Sequence, residues 1–493
     1  MIIVRIGALS LCLLLGFTTA CSSGSSTSSM NQNQGNNFPP ATTPLTKLST
    51  DTFTNSTSQH ATEVEPGSFS FGNTIIASFQ VGRISTGGSA DIGYAISTDA
   101  GATWTNGLLP GLTTFQGGGT NSAVSDTVPI YDVKHNVWMI SSLPISATST
   151  QVAVNRSTDG GATWGNPVIV AQSADLDKDW ITCDNDSTSP FYGNCYMEWD
   201  DNGVGNLVYM SRSADGGLTW AAGTPVAGSG GLGGQPLVQP GTGKVIVPFA
   251  GNAPLIQSFS STDGGVSWGN IVQVATVNTA NEAGGLRSGA LPSAQEDAAG
   301  TIYVVWEDCS FRANCASNDL VMSTSSDGTT WTAPVRIPID SVTSGADHFI
   351  PGLGIDPATS GASAHLALTY YYYPQANCTQ TTCALYAGFI SSLDGGSTWS
   401  TPTPLAGPML LDWLPSTNQG FMVADYIATS FAAGKAFGFF AVAKQNSGTT
   451  LDQAIYTVQS GLDVSEAKGK FSSQRDVPVV GASSGRASLR KIR

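Results

Sequence analysis

The chain has little charge, and positive charge is especially scarce. Charged residues make up 11% of the 493 residues, and 35 acidic residues outnumber 20 basic ones, which gives a net charge of −15. An acidic body repels polyanions, so nucleic acids and anionic membrane surfaces are disfavoured as partners. Seven of the basic residues follow Ser465. That tail lacks apolar periodicity, so we expect residues 463–493 to be a solvated, disordered end.

Several common patterns are also missing. Beyond the N-terminus no long segment has the 3.6-residue apolar period of an amphipathic helix, so we expect little helix. The chain shows no Ser/His/Asp order of a hydrolase triad, no phosphate-binding loop and no metalloprotease helix. The 57 glycines, with many Ser and Thr, instead favour a turn-rich all-β protein.

The N-terminus has the composition of an export signal. Arg5 precedes an apolar stretch from Ile6 to Phe17 that is short for a membrane span, and small residues then lead to Cys21. Residues 1–20 are therefore predicted to be a signal peptide, and the small residues before Cys21 resemble a bacterial lipobox. Ordinary secretory cleavage is the alternative. Residues 21–58 are predicted to be a Ser/Asn/Gln-rich tether that ends in a closing strand.

Six further cysteines fall into three close pairs, which is typical of an exported chain. The pairs are Cys183/Cys195, Cys309/Cys315 and Cys378/Cys383. A zinc site is the rival interpretation, but no His accompanies the pairs and no Cys-x-x-Cys occurs. We therefore predict three local disulfides.

One eight-residue phrase occurs six times. Its first copy reads Ser97-Thr-Asp99-Ala-Gly101-Ala-Thr103-Trp104, and its aspartates recur at intervals of 60, 56, 48, 64 and 67 residues. The six aspartates are Asp99, Asp159, Asp215, Asp263, Asp327 and Asp394. Asp and Ser hydrogen-bond nearby backbone N–H groups, and Gly permits a positive φ. Because short apolar segments flank each copy, the phrase predicts a hairpin turn in a repeated supersecondary unit.

The phrase resembles the Asp-box, or BNR repeat, of sialidases and other β-propellers. The resemblance covers about residues 60 to 460 and implies a β-propeller over 59–462, with the boxes at the outer rim. Strands around the boxes, with three more after the last one (420–424, 436–442 and 454–458), favour seven blades. Six blades, as in sialidases, is the alternative. A strand within residues 45–55 would complete the seventh blade and remove exposed edges.

Acidic residues recur where each innermost strand is expected to begin. These starts include Glu65, Asp126, Asp177, Asp179, Asp347 and Asp425. Crowded carboxylates raise one another's pKa, so one of them would serve as a general acid beside an ionised neighbour. The same cluster would alternatively hold a Ca²⁺ ion through oxygen ligands.

The resemblance to sialidases implies three arginines that hold a substrate carboxylate, an Asp acid/base and a Tyr nucleophile activated by Glu. Arg83, Arg287 and Arg312 are the candidate carboxylate ligands, with His348 beside the substrate. Asp126, Asp177 or Asp179 is the candidate acid/base. Tyr426, or a tyrosine of the run 370–373, is the candidate nucleophile, with Glu307 as its partner.

These observations predict an exported cell-envelope propeller that hydrolyses a glycosidic bond at its axial mouth, in the manner of a sialidase. The alternative is a non-catalytic propeller that binds glycans or proteins, with or without Ca²⁺. No cofactor is required by the first interpretation. We expect a monomer that meets the membrane only through its lipid anchor.

Overall fold

The computed structural model describes residues 38–465. Strands and short 3₁₀ turns make up their regular structure, and no α-helix occurs in that range. This agrees with the expected all-β fold. The predicted signal peptide, Cys21, the tether as far as residue 37 and the tail from residue 466 lie outside the described residues.

The regular elements follow one another with short connections. The strands are β1 (Leu45–Lys47), β2 (Glu63–Phe71), β3 (Thr74–Arg83), β4 (Ser89–Ser97), β5 (Thr105–Leu108), β6 (Ala123–Asp132), β7 (Val137–Ile145), β8 (Thr150–Ser157), β9 (Val168–Ser173), β10 (Leu176–Cys183), β11 (Cys195–Asp201), β12 (Leu207–Ser213), β13 (Thr224–Leu232), β14 (Leu237–Val238), β15 (Val245–Gly251), β16 (Leu255–Ser261), β17 (Val272–Thr276), β18 (Ser293–Glu296), β19 (Ile302–Asp308), β20 (Asp319–Ser325), β21 (Val335–Arg336), β22 (Asp347–Ile355), β23 (Leu366–Tyr373), β24 (Leu385–Ser392), β25 (Thr403–Met409), β26 (Ser416–Thr417), β27 (Gly420–Phe421), β28 (Ala428–Ala432), β29 (Lys435–Ser447), β30 (Thr450–Val458) and β31 (Leu462–Asp463). The 3₁₀ turns are Asn202–Val204, Ala283–Gly285, Ala313–Cys315, Gly361–Ser363 and Leu411–Trp413.

The strands group into antiparallel units of four, which we call units 1 to 7. Strands β2–β5 form unit 1, β6–β9 unit 2, β10–β13 unit 3, β14–β17 unit 4, β18–β21 unit 5, β22–β25 unit 6, and β28–β30 with β1 unit 7. Strand β1 joins unit 7 by pairing with β30, so that Leu45 lies opposite Val458. Both ends of the described chain therefore contribute to one sheet.

Contacts between the first strands run in a closed cycle. Strand β2 contacts β6, β6 contacts β10, and the series continues through β14, β18 and β22 to β28, which contacts β2 again. The apolar core lies between neighbouring units, with the largest buried cluster where units 6, 7 and 1 meet. Every first strand thus has a first strand on each side, which leaves none of them as an open edge.

Unit 7 begins later than the sequence predicts. The expected strand over 420–424 is instead a two-residue strand, β27, which pairs with β26 across a tight turn. The other side of this hairpin is occupied by the chain before unit 5, because the Arg287 amide donates to the Phe421 carbonyl at 2.7 Å. The first strand of the unit is therefore β28, at Ala428–Ala432.

The repeated phrases form turns between the third and fourth strands of units 1 to 6. In the second copy the Asp159 carboxylate accepts from the Ser157 hydroxyl at 2.8 Å and from the Thr163 amide at 2.9 Å. The Gly161 amide donates to the Ser157 hydroxyl at 2.9 Å. The Thr163 bonds, together with the Ser157 bond, lower the pKa of Asp159 to about 2. Each turn is thus held by its own side chains.

The three predicted disulfides are present. Cys183–Cys195, Cys309–Cys315 and Cys378–Cys383 each close a short loop. Such bonds persist in oxidising compartments, so they indicate an exported protein. Among residues 38–465, no helix is both long enough and apolar enough to cross a membrane.

Candidate functional site: a buried charge cluster beside a cavity

Four first strands carry a bulge at the same place. The pairing with the second strand slips at Glu65 in unit 1, Asp126 in unit 2, Lys178 in unit 3 and Ile350 in unit 6. All four residues have a positive φ, between 39° and 54°. A bulge re-aims its side chain, and residues forced to a positive φ cluster at functional sites. Three of these four side chains, those of units 1 to 3, are charged.

The re-aimed side chains meet in a buried group that we call the inner cluster. Its members interact electrostatically with one another, and nearly all lie in or next to the first two strands of units 1, 2, 3 and 7. They are Glu65, Arg83, Asp126, Asp177, Lys178, Asp179, Glu198, Asp200, Arg287, Asp425 and Tyr426. Carboxyl groups outnumber cations, so the cluster must hold protons or remain partly uncompensated.

Arg287 and Asp425 form the strongest pair in the inner cluster. Arg287 Nε donates to Asp425 Oδ1 at 2.8 Å, and Arg287 Nη2 donates to Asp425 Oδ2. Although burial disfavours the guanidinium cation, Asp425 outweighs it and raises the pKa of Arg287. This two-point geometry is the same one that would grip a substrate carboxylate, and here the protein supplies that carboxylate itself.

Arg83 lies near Arg287 but is bound differently. Its Nη1 donates to the Gly88 carbonyl at 2.6 Å, and its Nε lies 3.0 Å from the Met422 sulfur. Burial and the neighbouring Arg287 lower the pKa of Arg83 to about 10. The structure thus brings two of the three predicted arginines together, both already engaged by the protein.

Tyr426 is buried at the centre of the inner cluster. Its hydroxyl accepts from the Thr127 amide at 3.0 Å. Lys178 Nζ lies 3.5 Å from the centre of its ring, and the Trp180 ring meets it edge-on at 5.8 Å. Burial, with the nearby Asp126 carboxyl, raises the pKa of Tyr426 well above its usual value.

Burial favours the protonated form of several carboxyl groups in the inner cluster. Burial and the neighbouring Asp126 raise the pKa of Asp177 to about 8 and that of Asp179 to about 7. Burial likewise raises the pKa of Asp126 itself, although Lys178 opposes the shift. Within residues 38–465 the carboxylate oxygens of Asp126 and Asp200 find no hydrogen-bond partner. Protonation and the nearby cations, of which Lys178 acts most strongly on Asp126, offset the cost of burying them.

A cavity of about 240 Å³ opens beside the inner cluster. Arg287 and Asp425 form one part of its wall, while the loop over 279–291, the end of β19 and unit 4 form the rest. Apolar side chains such as Leu232, Ile256 and Val277 line it together with polar groups. Polar and apolar groups thus share the wall of a concave site that could hold a small ligand.

A carboxyl pair, Glu282 and Glu307, also lines this cavity. Burial and the adjacent Asp347 raise the pKa of Glu307 to about 8. Burial and Glu307 raise the pKa of Glu282 well above its usual value. Asn318 Nδ2 donates to Glu282 Oε1 at 3.0 Å, which orients that carboxyl group. Burial and mutual repulsion therefore favour the protonated forms of this pair.

Arg312 and His348 do not join the inner cluster. Arg312 Nε donates to Asp319 Oδ2 at 2.9 Å, and its Nη2 also reaches Asp340 at 2.7 Å. Arg336 binds the same two carboxylates, and His348 Nε2 lies 3.9 Å from Asp340. Arg312 is thus held in a separate network by Asp319 and Asp340, and a substrate-binding role shared with Arg83 and Arg287 stays a prediction.

The tyrosine run 370–373 is packed into the core of unit 6. The Tyr371 hydroxyl donates to the Ala441 carbonyl at 2.8 Å. Tyr370 and Tyr372 pack against His348, with ring centres 5.7 and 6.0 Å away. None of these rings contributes to the cavity wall. These tyrosines pack within the core around unit 6, whereas Tyr426 lies in the inner cluster.

Within the described residues, two clusters of Asp, Cys or His side chains lie close enough to hold a metal ion, and neither suits Ca²⁺. Asp132 lies with Cys183 and Cys195, but those sulfurs form a disulfide. Asp319 and Asp340 lie with His348, but both carboxylates already bind Arg312 and Arg336. Ca²⁺ needs several free oxygen ligands, so neither group fits it.

Sequence reasoning missed Glu198, Asp200, Lys178 and Glu282. Glu198 and Asp200 are two residues apart on β11, so both point to the same face of the sheet. That alternation was a readable signal, because acidic residues are rare on a strand whose every residue is buried. Glu282 lies in an irregular loop and had no comparable signal.

Comparison with known proteins identifies the repeat. Residues 146–352 match the family model of the BNR repeat-like domain. No curated protein matches the chain by sequence. Among solved structures, a sialidase of Streptococcus pneumoniae is 13% identical over 85% of this chain and 71% of its own, with a TM-score of 0.42. An α-L-arabinanase of Penicillium chrysogenum is 13% identical over 86% of this chain and 99% of its own, with a TM-score of 0.41. A Dyadobacter fermentans protein of unknown function is 13% identical over 68% of this chain and 93% of its own, with a TM-score of 0.40. Residues 146–352 of the chain are thus similar to the BNR repeat-like domain.

Proposed function

We propose that the chain is an exported β-propeller glycoside hydrolase whose seven units are its blades. The closed cycle of first-strand contacts supports radial blades, and the strand from the N-terminus in unit 7 supports closure. In this arrangement the bulged first strands surround the axis and the Asp-box turns face outward. The cavity beside Arg287 is then the substrate site at the axial mouth.

One observation supports hydrolysis above the others. Glu307 and Asp425 line the same cavity in different electrostatic surroundings. Glu307 keeps its proton at neutral pH, because its pKa is raised to about 8 by burial and Asp347. Asp425 is ion-paired with Arg287 and so remains a carboxylate. A protonated and an ionised carboxyl group facing one cavity are the usual equipment of a glycosidase.

The proposed reaction assigns a role to each member of this pair. Glu307 donates its proton to the glycosidic oxygen as the bond to the sugar breaks. Asp425, fixed in place by Arg287, stabilises the positive charge that develops on the sugar ring. Water completes the hydrolysis and returns a proton to Glu307. Asp126, Asp177, Asp179 and Tyr426 lie behind this pair, and their catalytic roles remain predictions.

The test uses a panel of fluorogenic glycosides with the wild type and Glu307→Gln. We expect at least one glycoside to be cleaved, with kcat lowered by about a hundredfold or more in the variant. Wild-type activity should fall as pH rises through about 8, because Glu307 then loses its proton. Asp412→Asn, at an exposed carboxylate, is the matched control. Cleavage that is equally fast in Glu307→Gln would refute the assignment.

A non-catalytic glycan-binding propeller is the second candidate. It is favoured by the burial of Asp126, Asp179 and Tyr426, which a substrate does not reach without movement. A Ca²⁺ requirement belongs to this alternative. Glycan binding without cleavage, abolished by a chelator and restored by Ca²⁺, would support it.

The proposed location is the cell envelope. The three disulfides support export. Anchoring through a lipid on Cys21 would hold a monomeric propeller at the membrane, with the glycan or glycoconjugate as its partner. Metabolic labelling with a fatty acid, compared between the wild type and Cys21→Ala, tests the anchor.

A further inference from the structure

The charged side chains on the cavity wall limit which substrates can bind there. Arg287 is its one basic side chain within the described residues, and the acidic side chains Glu282, Glu307 and Asp425 accompany it. The guanidinium of Arg287 is bound at two points by Asp425. A carboxylate on a ligand would have to share this one cation with Asp425, and the two anions would repel each other.

Among residues 38–465, no second arginine lines this cavity. Arg83 is buried and bonded to the Gly88 carbonyl, and Arg312 is held by Asp319 and Asp340. A ligand carboxylate placed in this cavity would lose its water without gaining a cation, which is strongly unfavourable. Hydroxyl groups, in contrast, can both donate to Asp425 and accept from the protonated Glu282 and Glu307.

We infer that the cavity binds uncharged sugar units and rejects sugars that carry a carboxylate. The inference rests on the proposed glycan site and specifies its substrate class. The Arg287 guanidinium already binds the Asp425 carboxylate. An acidic sugar is disfavoured because its carboxylate, or that of Asp425, would then lack a full ion-pair partner. Sialic acids and uronic acids are therefore excluded, which removes the sialidase form of the hydrolase.

The experiment compares sugars that differ only in a carboxylate or an acidic unit. Methyl glucoside is paired with methyl glucuronide, methyl galactoside with methyl galacturonide, and lactose with 3′-sialyllactose. Binding is measured by calorimetry on the full-length wild type and on Glu307→Gln, in which slowed hydrolysis leaves the ligand intact. We expect at least one neutral sugar to bind, and in each pair the acidic member to bind about tenfold more weakly or not at all.

Asp425→Asn provides the reciprocal test. It removes the internal carboxylate while keeping the size of the side chain, so it frees Arg287 for a ligand. We expect affinity for the acidic members to rise by about tenfold, with no such rise in Asp412→Asn. Circular dichroism and the melting temperature check that the variant is folded. Should it not fold, the wild-type pairs decide alone.

The outcomes separate this inference from the proposed function. The inference is overturned if the wild type binds any acidic sugar more tightly than its neutral partner. It is also overturned if none of the neutral sugars binds. Neutral selectivity combined with unchanged hydrolysis in Glu307→Gln upholds the inference and overturns the assignment of the acid.

Discussion

At the scale of single residues, the inner cluster depends on a buried ammonium group. Lys178 Nζ lies 3.5 and 4.5 Å from the ring centres of Tyr426 and Trp180, and no hydrogen-bond partner for it occurs within residues 38–465. It interacts instead with nearby carboxyl groups, since it lowers the pKa of Asp126 and Glu198 against the larger effect of burial. Removing such a charge leaves its partners uncompensated.

We therefore expect Lys178→Met to destabilise the protein in a pH-dependent way. Met keeps the length of the side chain between the two rings but removes the charge. The free energy of unfolding should fall by about 3–5 kcal/mol at pH 8.5. The loss should be smaller at pH 5.5, where the carboxyl groups are protonated and need no cation. Urea denaturation at both pH values measures this, with the exposed Lys134→Met as control. An equal loss at both pH values would contradict the account.

At the scale of elements, the repeated turns and the bulges have different structural roles. Each turn is closed by its own Ser and Asp together with a Thr or Ser, so its geometry is set mainly by bonds within the turn. The bulges instead divert Glu65, Asp126 and Lys178 from the regular ladder toward one another. The turns therefore stabilise each four-stranded unit, and the bulges bring the side chains of the inner cluster together.

Asp394 of the sixth turn allows a test of this local role. Its carboxylate accepts from the Ser392 hydroxyl and the Thr398 amide, both at 2.8 Å. Although burial opposes it, the bonds from Thr398 lower the pKa of Asp394. A lowered pKa means that the stabilisation is present above the unfolded-state pKa and is lost as pH falls below it.

We expect Asp394→Ala to lower the melting temperature by a few degrees at pH 7 and to matter less below pH 3. Asp394→Asn, which keeps one acceptor oxygen, should fall between Ala and the wild type. Asp412→Ala is the exposed control. A melting temperature unchanged by Asp394→Ala at pH 7 would show that the turn does not depend on its carboxylate. Glycosidase activity should be unaffected.

At the scale of the whole molecule, the N-terminal segment closes the cycle of units. Strand β1 pairs with β30, and the Ile455 amide donates to the Ser49 hydroxyl at 2.8 Å. Glu63 is fully buried at this seam, where burial and the nearby Asp51 raise its pKa to about 8. A proton on Glu63 is therefore part of the closure.

The raised pKa of Glu63 predicts how stability depends on pH. The folded state holds the proton more tightly than the unfolded chain, whose Glu pKa is near the usual 4.5. The contribution is thus fully present below that value and is lost as pH rises through about 8.

Glu63→Gln should remove this dependence. We expect the variant to gain stability over the wild type by up to a few kcal/mol at pH 9, with little difference at pH 4.5. Denaturant unfolding across this range, with Asp412→Asn as control, measures the effect. A constant difference between variant and wild type at all pH values would mean that Glu63 does not titrate at the seam.

The order of the strands allowed sequence reasoning to predict one part of the site. Asp126, Asp177, Asp179 and Tyr426 were placed together because each lies at the start of a unit, and those starts meet. Arg312 and His348 were misplaced, because ion pairs with Asp319 and Asp340 depend on loop paths that no spacing reveals. Glu307 was selected as a partner for tyrosine, whereas the structure sets it beside Glu282 on the cavity wall.

The sequence by itself determined the all-β class, the six turns and the three disulfides. Their partners lie within a few residues along the chain, so residue type and spacing suffice. Only the tertiary structure decided that Arg287 meets Asp425, 138 residues away, and that their pair fills the wall of one cavity. Such contacts follow from how the units are arranged around one another, because burial and the field of distant charges set which side chains pair and which keep their protons.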